Sequence, residues 1–180
     1  MRVLIELLDK EPLKNVLAPC VFKPEIVVYL CNVRDTTFFK ESAIIRLFKR
    51  RKMKTLPRFY YFDATDPAYI HRVLHAVVRD YPGCVFDFTG GSDLVLLVAG
   101  ACFAEMQLPG FYIDIRTRRF LNIRGCEDVA GVFEMPCFDA DDVFAMTGAT
   151  IQGHGHFPPT GISEEFERYA GAVFDVVKCN

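Results

Sequence analysis

The sequence predicts a three-layer α/β domain of Rossmann-like type, with a mostly parallel sheet ordered 3-2-1-4-5 and a C-terminal hairpin and helix. Three observations lead there. Short β-branched apolar runs alternate along the chain with segments of helical periodicity, the pattern of a parallel sheet covered on both faces. The turns between them place caps and prolines where helices start. At 180 residues the chain fits one domain that folds without a disulfide or metal staple.

The elements follow in order. Val3–Leu8 is a brief apolar run stopped by Asp9-Lys10-Glu11-Pro12, which reads as a buried strand. Pro12 suits the first turn of a helix through Leu17, and Pro19 is expected to close it. Ile26–Cys31 is the second strand. Thr36–Lys52 turns helical, with Phe38, Ser42, Ile45 and Phe48 on one stripe. Arg46, Lys49, Arg50, Arg51 and Lys52 crowd its end, where cations complement the dipole, so the cluster reads as a solvated helix end. Phe59–Phe62 is the third strand. Thr65-Asp66-Pro67 caps the next helix, lined by Ile70, Leu74 and Val77. Cys84–Phe88 is the fourth strand, broken by Thr89-Gly90-Gly91-Ser92. Leu94–Met106 is apolar all round and so predicted to be buried. Phe111–Ile115 and Arg119–Ile123 form a hairpin. Asp139–Met146 is a short helix, Gly153–Pro159 a loop, and Ser163–Val177 an amphipathic helix with Ser163 as cap.

Composition narrows the function. A net charge of −2 and a pI near 6.1 lack the basic footprint of a duplex nucleic-acid binder. No apolar run reaches the ~18 residues of a membrane span, and Met1–Glu11 is no signal peptide. The seven cysteines include no CxxC pair and sit among apolar neighbours, as reduced, buried thiols do. The expected compartment is the cytoplasm. No cofactor is expected, because neither a Walker loop nor GxGxxG is present; a nucleotide-dependent Rossmann-like enzyme is therefore the weaker alternative. No metal is expected either. His154 and His156 lack a third ligand nearby, and His71 and His75 share a helix face without the HExxH pair, so they read as surface histidines.

Two signals locate a ligand site. The first is Phe86-Asp87-Phe88-Thr89-Gly90-Gly91-Ser92, a buried strand running into two glycines and a helix start. Glycines let a backbone approach a ligand, and a helix N-terminus attracts an anion; equally, the glycines could make only a tight turn, with Ser92 as cap. The second is positional. In open α/β sheets ligands bind beyond the carboxyl ends of strands where the order reverses, here between strands one and four. Asp9, Lys10 and Glu11 would line one side and Thr89, Gly90, Gly91 and Ser92 the other, with Asn15 and Arg34-Asp35 reaching the same rim.

The run Glu11-Pro12-Leu13-Lys14-Asn15-Val16 after a strand, the segment Val85–Ser92 and the tail Phe138–Gly148 together resemble the CARF domains (CRISPR-associated Rossmann fold) of type III CRISPR defence. The likeness spans about residues 1–155 and is strongest to the N-terminal sensor of ancillary nucleases. It implies a homodimer that binds a cyclic oligoadenylate, with cyclic tetra-adenylate the expected ring, at the interface. An alternative is a slow ring nuclease acting on the same ligand. Asp93 stands where that family often has a lysine. The acids and lysine of a nuclease core are not identifiable, so residues 156–180 read as a linker and helix leading toward an effector domain outside this sequence. If the glycine turn holds the ligand, Gly91→Glu and Thr89→Val should block binding while the fold tolerates both, and Lys10→Ala should reduce its salt dependence.

Overall fold

Five consecutive buried residues, Val3–Leu7 (β1), mark a strand covered on both faces. In the computed structural model, which describes residues 1–34, 41–127 and 134–147, β1 is central. The other strands are β2 (Ile26–Asn32), β3 (Leu56–Phe62), β4 (Val85–Asp87), β5 (Gly110–Asp114) and β6 (Arg119–Arg124). Their order is β3-β2-β1-β4-β5-β6. All pairings are parallel except β5–β6, the expected hairpin. Pro57 lies on the outermost strand, β3, where a missing N–H breaks no ladder.

Helices cover both faces. On one lie α1 (Leu17–Phe22), α2 (Glu41–Arg50) and α5 (Ala140–Thr147), packed over Leu4, Tyr29 and Phe111. On the other lie α3 (Pro67–Asp80) and α4 (Asp93–Met106), packed over Ile5, Val28 and Phe86. This is the predicted three-layer arrangement. The alternation of strand side chains decides it: Leu4 goes to one core, and Ile5 and Leu7 go to the other.

The local reading needs four changes. Pro19 does not close a helix. Pro12–Asn15 is a short 3-10 turn, and Pro19 sits in the first turn of α1, where backbone N–H groups have no intrahelical partner to lose. The basic cluster is not simply solvated, since Arg50 and Arg51 grip α5 through Asp139 and Asp142. Helix α4 is not buried on all sides: Leu97 is 73% exposed. Among the described cysteines Cys137 is exposed, and the other five are buried and free. The expected helix start at Thr36, Asp35, the domain boundary at 155/156, His154, His156 and the helix Ser163–Val177 lie outside the described residues.

Candidate functional site

Because β1 and β4 are parallel neighbours, the loops that follow them open at the same edge of the sheet. The chain then leaves β1 toward the α1 face and β4 toward the α4 face, which opens a gap at the switch point. That gap is a cleft of about 420 Å³ between Asp9, Lys10 and Lys14 on one side and Gly91, Ser92 and Asp93 on the other.

Asp9 ties the two walls together. Its Oδ2 accepts the Gly91 N–H at 3.0 Å, and its Oδ1 accepts the Glu11 N–H at 2.9 Å. Asn15, fully buried, holds the loop from below: its Oδ1 accepts the Asp9 N–H at 2.7 Å, and its Nδ2 donates to the Asp9 and Glu11 carbonyls at 2.8 and 3.3 Å. Tyr29 in turn donates its hydroxyl to the Asn15 carbonyl at 2.7 Å. The glycines fit the same clamp. A Cβ on Gly90 would stand 2.9 Å from the Leu7 carbonyl oxygen. One on Gly91, at φ +114°, would meet the Leu7 Cβ at 2.8 Å. Tolerance of Gly91→Glu is therefore not expected, for reasons of packing and backbone alone.

Lys14 supplies the cleft's partly buried cation. Its Nζ lies 3.5 Å from Asp9 Oδ2 and 3.3 Å from Glu11 Oε2. Burial works against its charge, but the two carboxylates outweigh that and hold its pKa above the ordinary lysine value. Ser92 is the N-cap of α4, yet its hydroxyl makes no capping bond. The first-turn N–H groups of α4 thus meet the cleft beside a free hydroxyl, opposed by the negative Asp93.

Beneath the cleft, Glu6 of β1 and Asp87 of β4 are register partners, both fully buried. Asp87 Oδ1 accepts both the N–H and the hydroxyl of Thr89, and the Thr89 hydroxyl oxygen accepts the Ile113 N–H at 2.9 Å. Neither Glu6 oxygen nor Asp87 Oδ2 meets a donor among the described residues, and burial raises the pKa of both carboxyls. The Thr89 bonds pull the Asp87 pKa down, against the larger effect of burial. Burial first, then the neighbouring Asp87, raises the Glu6 pKa well above the ordinary range.

The structure thus sorts the sequence-predicted residues. Asp9, Lys10, Gly91 and Ser92 line the cleft; Glu11, Asn15, Thr89 and Gly90 build its frame. Arg34 does neither. It forms a two-pronged pair with Asp63 at 2.9 Å on both arms, at the edge formed by β2 and β3. Sequence reasoning missed Lys14, which stood in the Glu11–Val16 run. Its three-residue spacing from Glu11 places both on one face of the turn, whereas the family resemblance points to a lysine at position 93, where Asp93 stands.

Can2 from Sulfobacillus thermosulfidooxidans, in complex with cyclic tetra-adenylate, superposes with a TM-score of 0.66 at 18% identity, over 81% of this chain and 41% of Can2. Protein VC1899 from Vibrio cholerae gives 0.53 at 13% identity, over 68% of this chain and 33% of VC1899. This chain shares their fold. It spans about two fifths of Can2 and a third of VC1899. No family model matches the sequence, and no curated protein does. Among the described residues no helix is long and apolar enough to cross a membrane.

Proposed function

We propose that this domain is a CARF-type sensor that binds a cyclic oligoadenylate, cyclic tetra-adenylate first among ring sizes, in the cleft between Asp9–Lys14 and Gly91–Asp93. The observation that carries the reading is a cation-bearing gap at the switch point of a fold shared with Can2, whose structure holds cyclic tetra-adenylate. Lys14 and Lys10 meet phosphate charge, and Lys14 exchanges Asp9 and Glu11 for it on binding. The Ser92 hydroxyl and the first-turn N–H groups of α4 donate to a phosphate or ribose oxygen. Asp9, Asn15, Glu11, Thr89 and Gly90 keep the two walls in place. At about 420 Å³ the cleft has the size that takes a drug-sized molecule rather than a whole ring of nucleotides. A two-fold pair of clefts in a homodimer would share one symmetric ring. Signalling then passes to an effector nuclease domain elsewhere in the full-length protein.

Calorimetric titration of the 180-residue chain with cyclic tetra- and hexa-adenylate tests this. Saturable binding is expected, about 10- to 100-fold weaker in Lys14→Ala, the range of a lost charged hydrogen bond. Lys10→Ala, at an exposed position, should weaken binding less and flatten its salt dependence. Chromatography of the same mixtures reports any linear product of ring cleavage. If neither ring gives heat or a melting shift with the wild-type chain, the sensor reading fails.

A further inference from the structure

Helices α3 and α4 pack side by side, and their contact gathers four side chains of metal-ligand type. His71 and His75, one turn apart on α3, present their rings to one another at 4.3 Å. Cys102 and Glu105, three residues apart on α4, face them. One donor atom from each of His71, His75 and Cys102 lies within 4.8 Å of the other two. Glu105 Oε2 is 3.0 Å from His71 Nε2 and 3.7 Å from His75 Nε2. His75 Nε2 is buried and makes no hydrogen bond among the described residues, an arrangement that native proteins avoid unless something else satisfies the atom.

We propose that His71, His75 and Cys102, with Glu105 closing the fourth position, bind a divalent transition-metal ion, zinc by preference. Two nitrogens, a thiolate sulfur and one carboxylate oxygen form a zinc donor set, whereas calcium and magnesium take oxygen. Bonds of about 2.0–2.3 Å in a tetrahedron put ligand atoms roughly 3.3–3.7 Å apart. The Glu105 contacts stand at or just inside that spacing, and the histidine–cysteine triangle has about an ångström to close. Cys102 is fully buried and belongs to the apolar core under α3 and α4, which keeps water from the sulfur. Glu105 is 60% exposed at the mouth, which leaves an entry path. The cluster lies nine residues along α4 from Asp93, roughly 14 Å, so it is a site separate from the ligand cleft. Its ion would clip α3 to α4. Sequence spacing alone makes His71 and His75 surface histidines, because it cannot show which helix packs against them.

The test uses the full chain, stripped with a chelator and kept reduced, titrated with zinc chloride against a chromophoric competitor and in parallel with cobalt(II). One equivalent of zinc is expected, with a melting point raised by several degrees, since the ion binds only the folded state. Cobalt should give the intense visible bands of a tetrahedral site and a thiolate charge-transfer band. Cys102→Ser should remove that band and weaken zinc at least about tenfold, the least that even a lost outer-shell partner costs. The double variant His71→Ala/His75→Ala, at partly exposed positions that carry little packing, should abolish binding. His154→Ala/His156→Ala should leave it intact. Absence of saturable zinc binding, or zinc binding unchanged in the His71→Ala/His75→Ala protein, overturns the proposal.

Discussion

Glu6 is a fully buried carboxyl in the central strand β1, and neither of its oxygens meets a donor among the described residues. Burial pushes Asp87 up to about 7, against the pull of its Thr89 bonds, and Glu6 higher than its usual value. Both groups therefore hold a proton more tightly folded than unfolded, where such carboxyls titrate near 4. From about pH 4 upward through 7 the folded state carries more protons than the unfolded state, so stability falls as pH rises. The depressed carboxyls Asp63 and Asp139 act with the opposite sign, but below that window. A melting series from pH 5 to 8 should show the decline. Glu6→Gln, whose amide donates to Asp87 without titrating, should flatten it and leave the variant the more stable protein at pH 8. An unchanged slope would mean that another group titrates. At this scale the sequence was read unevenly. Thr89-Gly90-Gly91-Ser92 was legible as a special turn, because two glycines after a buried strand have few other uses. That Gly91 faces Leu7, and that Asp9 bonds its N–H from 82 residues away, depends on strand pairing that no local pattern states.

Among the elements, α5 is held by charge as much as by packing. Asp139 and Asp142 cap it reciprocally, with the Asp142 N–H donating to Asp139 Oδ1 at 2.8 Å and the Asp139 N–H to Asp142 Oδ2 at 3.3 Å. The nearly buried Asp142 carboxylate also takes Arg51 at 2.7 Å and Arg50 at 3.1 Å, and Arg51 lies 4.3 Å over the Phe138 ring. Removing Arg51 leaves the nearly buried Asp142 carboxylate with only Arg50 and the Asp139 N–H as partners. Arg51→Ala should therefore cost about 1–3 kcal/mol, and Lys49→Ala, exposed on the same helix, under about 0.5 kcal/mol. Urea unfolding of both variants measures the difference, and equal midpoints would mean that α5 is held by its apolar side chains alone. The sequence showed the basic cluster and the acidic segment 89 to 92 residues later, but not that they meet; helix-end cations alone read as dipole partners facing water. The elements themselves were legible, because period-2 and period-3.6 patterns with caps are local. Pro19 was misread because a proline stops a helix or opens one according to where the previous turn ends, and the 3-10 turn at Pro12–Asn15 shifts that point.

For the whole molecule, the alternation of strands and helices made a parallel sheet legible, and the order 3-2-1-4-5 followed from taking the common doubly-wound arrangement. The homodimer was expected only from the family resemblance. Helix α4 reads from composition as buried all round, and in the single chain half of that expectation is met by the sheet core. The rest lies open: Leu97 at 73% and Leu94 at 37% exposure, and Leu97 lines a groove with Pro67, Ala68, His71, Arg72, Val98 and Ala101. An apolar stripe on a helix that is otherwise core is what an interface leaves when its partner is removed, and the proposed ring-shaped ligand asks for a second copy related by a two-fold axis. Sedimentation at tens of micromolar should then find a dimer. Leu97→Glu should shift it to monomer by placing like charges face to face across the axis, and at concentrations too dilute for the wild type to pair its melting point should match wild type, because Leu97 lies outside the core of the single chain. In that monomer each cleft meets one face of the ring alone, so affinity for cyclic tetra-adenylate should fall by more than the loss seen in Lys14→Ala. A wild-type chain that sediments as a monomer with and without the ligand would remove the dimer. A Leu97→Glu dimer that still binds would move the axis away from α4.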